Sequence, residues 1–377
     1  MGKTLHKLHL YLGLLSSLVL IVVALSGAIL SYEKQILSLI HEESFVVKPS
    51  AQNKLTPQEI VERFLAEKPD AKINAFTLHN NATSSYVINI ASQKSRKGEN
   101  YFIDPYTAKI LPEVTAHDFF HFVENLHRRL LLGEVGKQIT GASVLILIYL
   151  LFSGVYIYMP KIKRGFINAL KIKTNAKGRS FLYSLHGSVG LWIVPVYLSI
   201  SLTGLYWSYH WYNDFLHNIT GVEKHKKPHM KKEKTKANKK SKQMKIEDPR
   251  VVAQKIQNSF DLFDKSVNSC YEKVMLRLPK KGPQATLFYI DKKPAHVYAR
   301  NKMLIDMKTM QIKTHERYDD SSLEKQLMSS IFALHSGEYF GWIGQLIFFI
   351  AALMMPVLGI TGLMLYLNRR KREKNAH

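Results

Sequence analysis

A register of histidine and glycine residues occurs twice in the sequence, without a gap within either copy. In its first part a histidine precedes two glycines at fixed offsets: the copies are His9, Gly13 and Gly27, and His186, Gly190 and Gly204. In its second part a histidine precedes three glycines and a tyrosine: the copies are His127, Gly133, Gly136, Gly154 and Tyr158, and His335, Gly341, Gly344, Gly362 and Tyr366. Repeats of this size determine a whole architecture. The register therefore predicts two tandem copies of one unit, each with two helices and two histidines.

Four apolar stretches are long enough to cross a membrane: about 10–32, 139–159, 191–209 and 342–367. At ~1.5 Å per residue, a helix of each length covers the ~30 Å hydrocarbon layer of a bilayer. Because only helices and closed barrels satisfy their backbone hydrogen bonds in lipid, we predict four transmembrane helices. The first stretch could be mistaken for a signal peptide, but its glycine register matches the third stretch, so we expect a retained helix.

The formal net charge of +24 could indicate nucleic-acid binding, but much of it lies where membrane topology explains it. The basic segment 161–185 and the basic tail 368–377 are predicted to be cytoplasmic, which with four helices makes the N-terminus cytoplasmic too. No nucleic-acid partner is expected.

The run from Lys224 to Lys245 holds eleven lysines and one acid, Glu233. It is predicted to be a solvated tether, with binding to anionic lipid or an acidic partner as the alternative.

These features divide the chain into nine segments. They are 1–32, transmembrane helix 1; 33–137, the first outer module and an interfacial histidine segment; 138–160, helix 2; 161–185, a basic loop; 186–210, helix 3; 211–248, the lysine-rich linker; 249–337, the second outer module; 338–367, helix 4; and 368–377, the basic tail.

Each outer segment has the pattern of a small α+β module. Thr56, Pro57 and Glu59 form the signature of a capped helix start, and Tyr86 to Ile90 alternates as a strand does. The second module begins near Pro249. Neither module contains a residue cluster that predicts catalysis, so binding or positioning is their expected role.

The four repeated histidines are predicted to bind haem. Histidine in or beside a membrane span is costly unless it has a partner, so it is read as functional. Tandem copies that enter the membrane in the same direction are related by an approximate two-fold axis along the membrane normal. His9 then faces His186 near the cytoplasmic side, and His127 faces His335 near the outer side. Each pair suits the two axial positions of one haem iron, which favours electron transfer over oxygen binding.

Other residues are predicted to support these sites. Gly13, Gly190, Gly136 and Gly344 would allow close approach of the macrocycle or of neighbouring helices. Arg128 and Arg179 are possible contacts of the haem propionates. The chain has one cysteine, Cys270, and no C-x-x-C-H motif, so two non-covalent haems b are expected.

Two further expectations concern depth and weaker candidates. A continuous helix from each outer histidine would exceed the membrane thickness and place the outer pair at or above the surface, unless the glycines at 133, 136, 341 and 344 break it. His6 is a weaker ligand candidate because it lacks the glycine register. His117 and His121 share a helix face, which is compatible with metal binding or an alternative outer ligand, but two histidines without a third ligand predict a metal site only weakly. Trp207 is expected at the membrane interface.

The sequence resembles the PepSY-associated transmembrane proteins. The resemblance rests on a histidine before a first helix that ends in Ser26-Gly27-Ala28, on strands such as the one from Tyr101 to Thr107, and on Leu-His pairs at 126–127 and 334–335. It implies a bacterial inner-membrane protein with periplasmic PepSY-like modules. It also implies an iron-regulated di-haem b reductase of ferric siderophores, with haem ligands at His9, His127, His186 and His335. The lysine run looks like an insertion, and Met307 stands where the first module has Pro105.

The preferred hypothesis is a haem-dependent ferric-siderophore reductase that passes electrons across the bilayer to a periplasmic ferric chelate. No G-x-G-x-x-G fingerprint for a flavin or nicotinamide is present, so the donor, cytoplasmic or a quinol, is expected to be separate. One alternative is a membrane-anchored PepSY protein that binds a partner or inhibits a protease without redox activity. Another is a permease for the siderophore itself.

Overall fold

The computed structural model describes residues 2–92, 98–222, 248–268, 270–280 and 282–374. The predicted tether from Lys224 to Lys245 lies outside these residues. The chain forms two compact units. The helical unit contains residues 1–35, 116–220 and 327–377, and the sheet unit contains residues 36–115 and 221–326.

The helices, in chain order, are α1 (Gly2–Ser31), α2 (Glu33–Ile40), α3 (Glu42–Phe45), α4 (Pro57–Glu67), α5 (His117–Arg129), α6 (Gly133–Arg164), α7 (Phe166–Leu170), α8 (Gly178–Ser208), α9 (His210–Thr220), α10 (Pro249–Val267), α11 (Leu323–Ser329), α12 (Ile331–Ser336) and α13 (Gly341–Lys374). A single 3-10 turn, Glu338–Phe340, lies between α12 and α13. The strands are β1 (Ile73–His79), β2 (Tyr86–Ile90), β3 (Glu99–Ile103), β4 (Tyr271–Arg277), β5 (Gln284–Asp291), β6 (Asn301–Asp306) and β7 (Gln311–Glu316).

Four helices of the helical unit are long and apolar enough to cross a membrane, as the sequence predicts: α1, α6, α8 and α13. Helices α1 and α8 each pack against both α6 and α13, so α1 and α8 lie on one diagonal of the bundle. The centre of the bundle is an apolar cluster to which all four helices contribute: Leu20, Leu151, Ile193, Tyr197, Ala351 and Met355. Buried serines and threonines along the same helices allow close approach of the backbones.

The chain turns sharply before α6 and again before α13. Leu130 and Leu131 after α5 have φ of 50° and 61°, and Gly337 and Gly341 after α12 have φ of 80° and 70°. These left-handed conformations end the short helices, so the chain turns before each long helix begins. Helix α5 packs against α1, and α12 packs against α8. The helices are therefore broken between histidine and span, which is the alternative that the sequence left open.

The sheet unit contains one antiparallel sheet of seven strands in the order β3-β2-β1-β4-β5-β6-β7. The sequence predicts two separate modules, but strand β1 of the first segment pairs with β4 of the second, with Phe76 opposite Leu276. In the first module alone, β1 would be an open edge strand, and in the second module alone, β4 would be one. Pairing β1 with β4 satisfies the backbone hydrogen-bonding groups along both edges. The two segments thus share one sheet.

A single apolar core lies between this sheet and helices α4 and α10. Phe64 of α4, Phe260 of α10 and Phe76 of β1 are all almost completely buried in it. Helix α4 begins as predicted: Thr56 accepts a hydrogen bond from the Glu59 backbone amide, and the Glu59 carboxylate accepts one from the Thr56 amide. The second segment likewise begins its helix at Pro249.

Candidate functional site

Two cavities lie among the spanning helices, and each contains two of the four repeated histidines. The inner cavity, about 260 Å³, is lined by His9 of α1 and His186 of α8. The outer cavity, about 540 Å³, is lined by His127 of α5 and His335 of α12. Ligand pockets commonly measure ~300–1,000 Å³, so the outer cavity falls within this range and the inner one near its lower limit. The structure thus brings the histidines together in the pairs that the repeat predicts.

The outer histidines are held by the backbone of the spanning helices. The Nδ1 atom of His127 lies 2.8 Å from the carbonyl oxygen of Val23, and Nδ1 of His335 lies 3.1 Å from the carbonyl oxygen of Ile200. A carbonyl only accepts, so each ring carries its proton on Nδ1 and donates it. Each Nε2 therefore keeps its lone pair, which is the form of histidine that binds a metal.

The inner histidines are held by hydroxyl groups in the same way. His9 Nδ1 lies 2.7 Å from Ser153 Oγ, and His186 Nδ1 lies 2.9 Å from Thr361 Oγ1. Both hydroxyls are also bonded to helix carbonyls, Ser153 to that of Leu150. Because each hydroxyl donates its own proton to a carbonyl, its oxygen accepts from the imidazole Nδ1–H. The inner rings therefore also present Nε2 as the free base.

Each histidine ring also packs against a glycine of a spanning helix, so that a Cβ atom there would lie at contact distance from the ring or closer. A Cβ atom at Gly27 would lie 2.9 Å from His127 Cε1, and one at Gly204 would lie 3.3 Å from His335 Cε1. At the inner pair, a Cβ atom at Gly154 would lie 3.2 Å from His9 Cε1, and one at Gly362 would lie 3.5 Å from His186 Cε1. These four glycines are members of the repeated register, and their function is to make room for the rings.

The hydroxyl groups beside these glycines were not predicted as site residues. Every ring-contacting glycine directly follows a serine or threonine: the pairs are Ser26-Gly27, Ser153-Gly154, Thr203-Gly204 and Thr361-Gly362. Thr203 Oγ1 lies 3.0 Å from His335 Nδ1, and Ser26 Oγ lies 3.4 Å from His127 Nδ1. The signal that could have found them is a Ser/Thr-Gly dipeptide occurring at matched positions of all four spans.

The four glycines predicted to support the sites have two different environments. Gly13 and Gly190 line the inner cavity, where a Cβ at Gly190 would meet no atom within 4 Å. Gly136 and Gly344 instead lie at the starts of α6 and α13, where a Cβ would collide with the backbone of the preceding turn. These two glycines permit the chain reversal and do not line either cavity.

The predicted arginines line the cavities, together with further basic residues. Arg179 lines the inner cavity beside Arg369, and Arg128 lines the outer cavity beside Arg129 and Lys137. Arg128 also forms an ion pair with Glu124 at 2.7 Å, with its side chain about half exposed.

Trp207 and His6 also line the cavities, one in each. Trp207 lies in the outer cavity with its ring centre 5.3 Å from that of His335, where the sequence predicted a membrane-interface residue. His6 lines the inner cavity.

The outer pair fits the geometry of two imidazoles that share one metal ion. The ring centres of His127 and His335 lie 6.2 Å apart. Two imidazoles bonded on opposite sides of one metal, each at about 2.0 Å, place their ring centres about 6 Å apart. With Nδ1 donating and Nε2 free, both rings meet the chemical requirement as well as the spacing. His127 and His335 therefore fit as the residues that would hold a haem iron in the outer cavity.

These observations define a four-helix membrane protein with two cavities, each containing a histidine pair. The family described as PepSY-associated TM region matches residues 6–369, nearly the whole chain. The protein belongs to this family. No curated protein matches the sequence at a significant level.

Proposed function

We propose that this protein is a di-haem b oxidoreductase that passes electrons across the inner membrane to reduce a periplasmic ferric chelate of the siderophore class.

 The observation that carries the proposal is the pair of cavities, in each of which two histidines on different helices line one space. When bound, haem iron would supply the one-electron Fe(III)/Fe(II) couple, and the two histidine pairs would hold it. The chain's own residues would bind the haem, orient the histidine rings and neutralise the haem propionates.

The histidines are oriented before any cofactor binds. Each Nδ1–H donates to a carbonyl or hydroxyl oxygen of a spanning helix, and this contact fixes both the tautomer and the direction of the ring. Removing such a supporting contact typically weakens metal binding about 10–100-fold. The protein is thus built to hold four imidazoles in one protonation state and one orientation.

Basic side chains at the two cavities would neutralise the haem propionates. Arg179 and Arg369 line the inner cavity, and Arg128, Arg129 and Lys137 line the outer one. A carboxylate near the end of a membrane span is costly unless a cation accompanies it. Arginine suits this role because its planar guanidinium pairs with a carboxylate through two parallel hydrogen bonds.

An approximate two-fold axis along the membrane normal would relate the two halves of the bundle. Its support is the equivalence of contacts: His9 meets the Ser-Gly pair of α6, and His186 meets the Thr-Gly pair of α13. In the same way, His127 meets α1 and His335 meets α8. We place both termini in the cytoplasm and the sheet unit in the periplasm, because basic residues accumulate in 161–185 and in the tail.

The ferric chelate is proposed on the basis of family resemblance and chemistry. Hydroxamate, catecholate and carboxylate oxygens are hard ligands that suit Fe(III), so reduction to Fe(II) weakens the chelate and releases the iron. One electron per iron is sufficient, and it would come from a separate cytoplasmic or quinol donor.

The test is a reduced-minus-oxidised visible spectrum of the purified protein, with haem quantified per chain. Two haems are expected in the natural sequence. His9→Ala and His186→Ala should each remove the same haem, while His127→Ala and His335→Ala should each remove the other. His210→Ala is the control, because that exposed residue lies outside both cavities.

Other outcomes would decide against the proposal. A colourless protein would favour a membrane-anchored binding or inhibitor protein. Loss of the same haem in His9→Ala and His127→Ala would refute the proposed pairing. Proteoliposomes with an external Fe(II) indicator separate the remaining alternative, since a permease would move intact ferric chelate without producing Fe(II).

A further inference from the structure

The two histidine cavities are separated by a thin partition. Among the residues that the structure describes, four line both cavities, and each comes from a different spanning helix: Leu20, Leu147, Tyr197 and Met355. Three of them, Leu20, Tyr197 and Met355, belong to the buried apolar cluster at the centre of the bundle. These four residues are therefore the part of the protein that both cavities share.

The four residues of the partition stand at matching positions of the repeat, and one matched pair combines an aliphatic with an aromatic residue. Leu20 stands at the same offset from His9 as Tyr197 from His186, and Leu147 and Met355 stand at equal offsets from the second pair of histidines. The repeat therefore places Leu20 and Tyr197 at equivalent positions, and an aromatic ring occupies only the second of them. Helix packing in the first copy is satisfied by leucine, so packing alone does not require an aromatic residue there.

Tyr197 is fixed in place more firmly than an apolar residue would be. Its side chain is 3% exposed, and its hydroxyl donates a hydrogen bond of 2.8 Å to the backbone carbonyl of Ala351 on α13. A buried hydroxyl without a partner would be costly, so this bond both satisfies the group and sets the direction of the ring. The ring is thus held across the bundle from α8 towards α13.

We propose that Tyr197 is the bridging residue for electron transfer between the two cavities; the inference rests on the proposed di-haem function. Electron tunnelling is faster through packed and bonded atoms than through empty space, and the Tyr197 ring, hydrogen-bonded to Ala351, supplies such atoms between the two cavities. Tyr197 keeps its proton and is itself neither oxidised nor reduced. A single electron crosses, so that Fe(II) on the donor side becomes Fe(III) while Fe(III) on the acceptor side becomes Fe(II).

The experiment compares Tyr197→Leu, which restores the residue of the first copy, with Tyr197→Phe, which keeps the ring and removes only the hydroxyl. Each protein is placed in liposomes, and a membrane-impermeant reductant is added on one side. Stopped-flow absorbance then resolves reduction of the near haem from reduction of the far haem, which is expected to follow in a rapid phase in the natural sequence. Haem content and both reduction potentials are measured at equilibrium on the same samples, as readouts that do not depend on turnover.

Tyr197→Leu is expected to lose the rapid phase of far-haem reduction while it keeps two haems and unchanged potentials. Tyr197→Phe is expected to retain the rapid phase. An unchanged rapid phase in Tyr197→Leu would overturn the inference. If Tyr197→Leu loses haem, Tyr197→Met, with a flexible side chain that fills space, replaces it and is judged by the same criterion.

The failure of this inference differs from the failure of the proposed function. A natural-sequence protein with fewer than two haems would refute the di-haem function without any variant. Two haems and transfer across the membrane, with the same far-haem rate in all Tyr197 variants, would refute only the bridging role.

Discussion

Substituting alanine for the glycines that face the histidine rings should weaken haem binding in a graded order. At Gly27 the new Cβ would lie 2.9 Å from His127 Cε1, whereas ordinary contact begins at 3.4 Å. The ring must therefore retreat by about half an ångström, or α1 must move away from α5. The distances at Gly154, Gly204 and Gly362 are 3.2, 3.3 and 3.5 Å, so the strain should fall in that order.

The size of the effect follows from the cost of overpacking. Forcing an extra methyl into a closely packed site costs about 1–3 kcal/mol. Since about 1.4 kcal/mol is a factor of ten in an equilibrium constant, Gly27→Ala should weaken haem binding at the outer site roughly 5- to 100-fold. At Gly362 the Cβ is already at contact distance, and alanine there gains up to ~1 kcal/mol of helix propensity.

The assay is haem content after purification and the rate of haem loss to an excess of apomyoglobin. Gly27→Ala should release the outer haem fastest, and Gly362→Ala, the matched control, should retain both haems. A second substitution tests the cause: Gly27→Ser should be at least as disruptive as alanine, because its side chain is larger. Equal retention in Gly27→Ala and Gly362→Ala would refute the argument from ring clearance.

Three further predictions follow from the contacts described above. Ser153→Ala removes the hydroxyl that orients the His9 ring. Titration of the apoprotein with haem should then show about 10–100-fold weaker binding at the inner site, with binding at the outer site unchanged. Thr56→Ala removes the capping box of α4 and should cost about 0.5–2 kcal/mol, visible as faster hydrogen exchange in α4 with unchanged haem content. Burial, reinforced by Lys273 and Lys54, lowers the pKa of His79 to about 4. Because that value lies below the unfolded value of about 6.5, the neutral ring stabilises the sheet fully above pH 6.5, and this contribution is lost as the pH falls towards 4. His79→Gln should therefore reduce the loss of β1 protection, measured as the exchange rate relative to the intrinsic rate, as the pH falls from 7 to 5.

The spanning helices were predictable from the sequence because each is an uninterrupted apolar stretch. The capped start at Thr56 and the strand Tyr86–Ile90 were predictable for a similar reason, since their signals are local. The shared sheet was not, because the pairing of β1 with β4 joins residues about two hundred positions apart in the sequence. Nothing in either strand alone specifies that partner.

The two histidine pairs that share a cavity are the pairs that the repeated register of the sequence predicts. The partners of the rings were harder to predict, since Ser153 and Thr361 are ordinary residues of apolar helices until the neighbouring chain is in place. The turns before α6 and α13 explain why Gly136 and Gly344 were assigned to the cavities: a glycine required for a backbone reversal and one required for clearance look alike in a sequence.

The pairing of β1 with β4 has a consequence for the order in which the protein is made. Strand β1 emerges early, but β4 follows only after α6 and α8 have been synthesised. Until then β1 has an unpaired edge, which is the kind of surface that invites wrong association. Completion of the sheet also requires both halves to have been delivered to the same side of the bilayer, so a chain with one inverted helix pair could not close it.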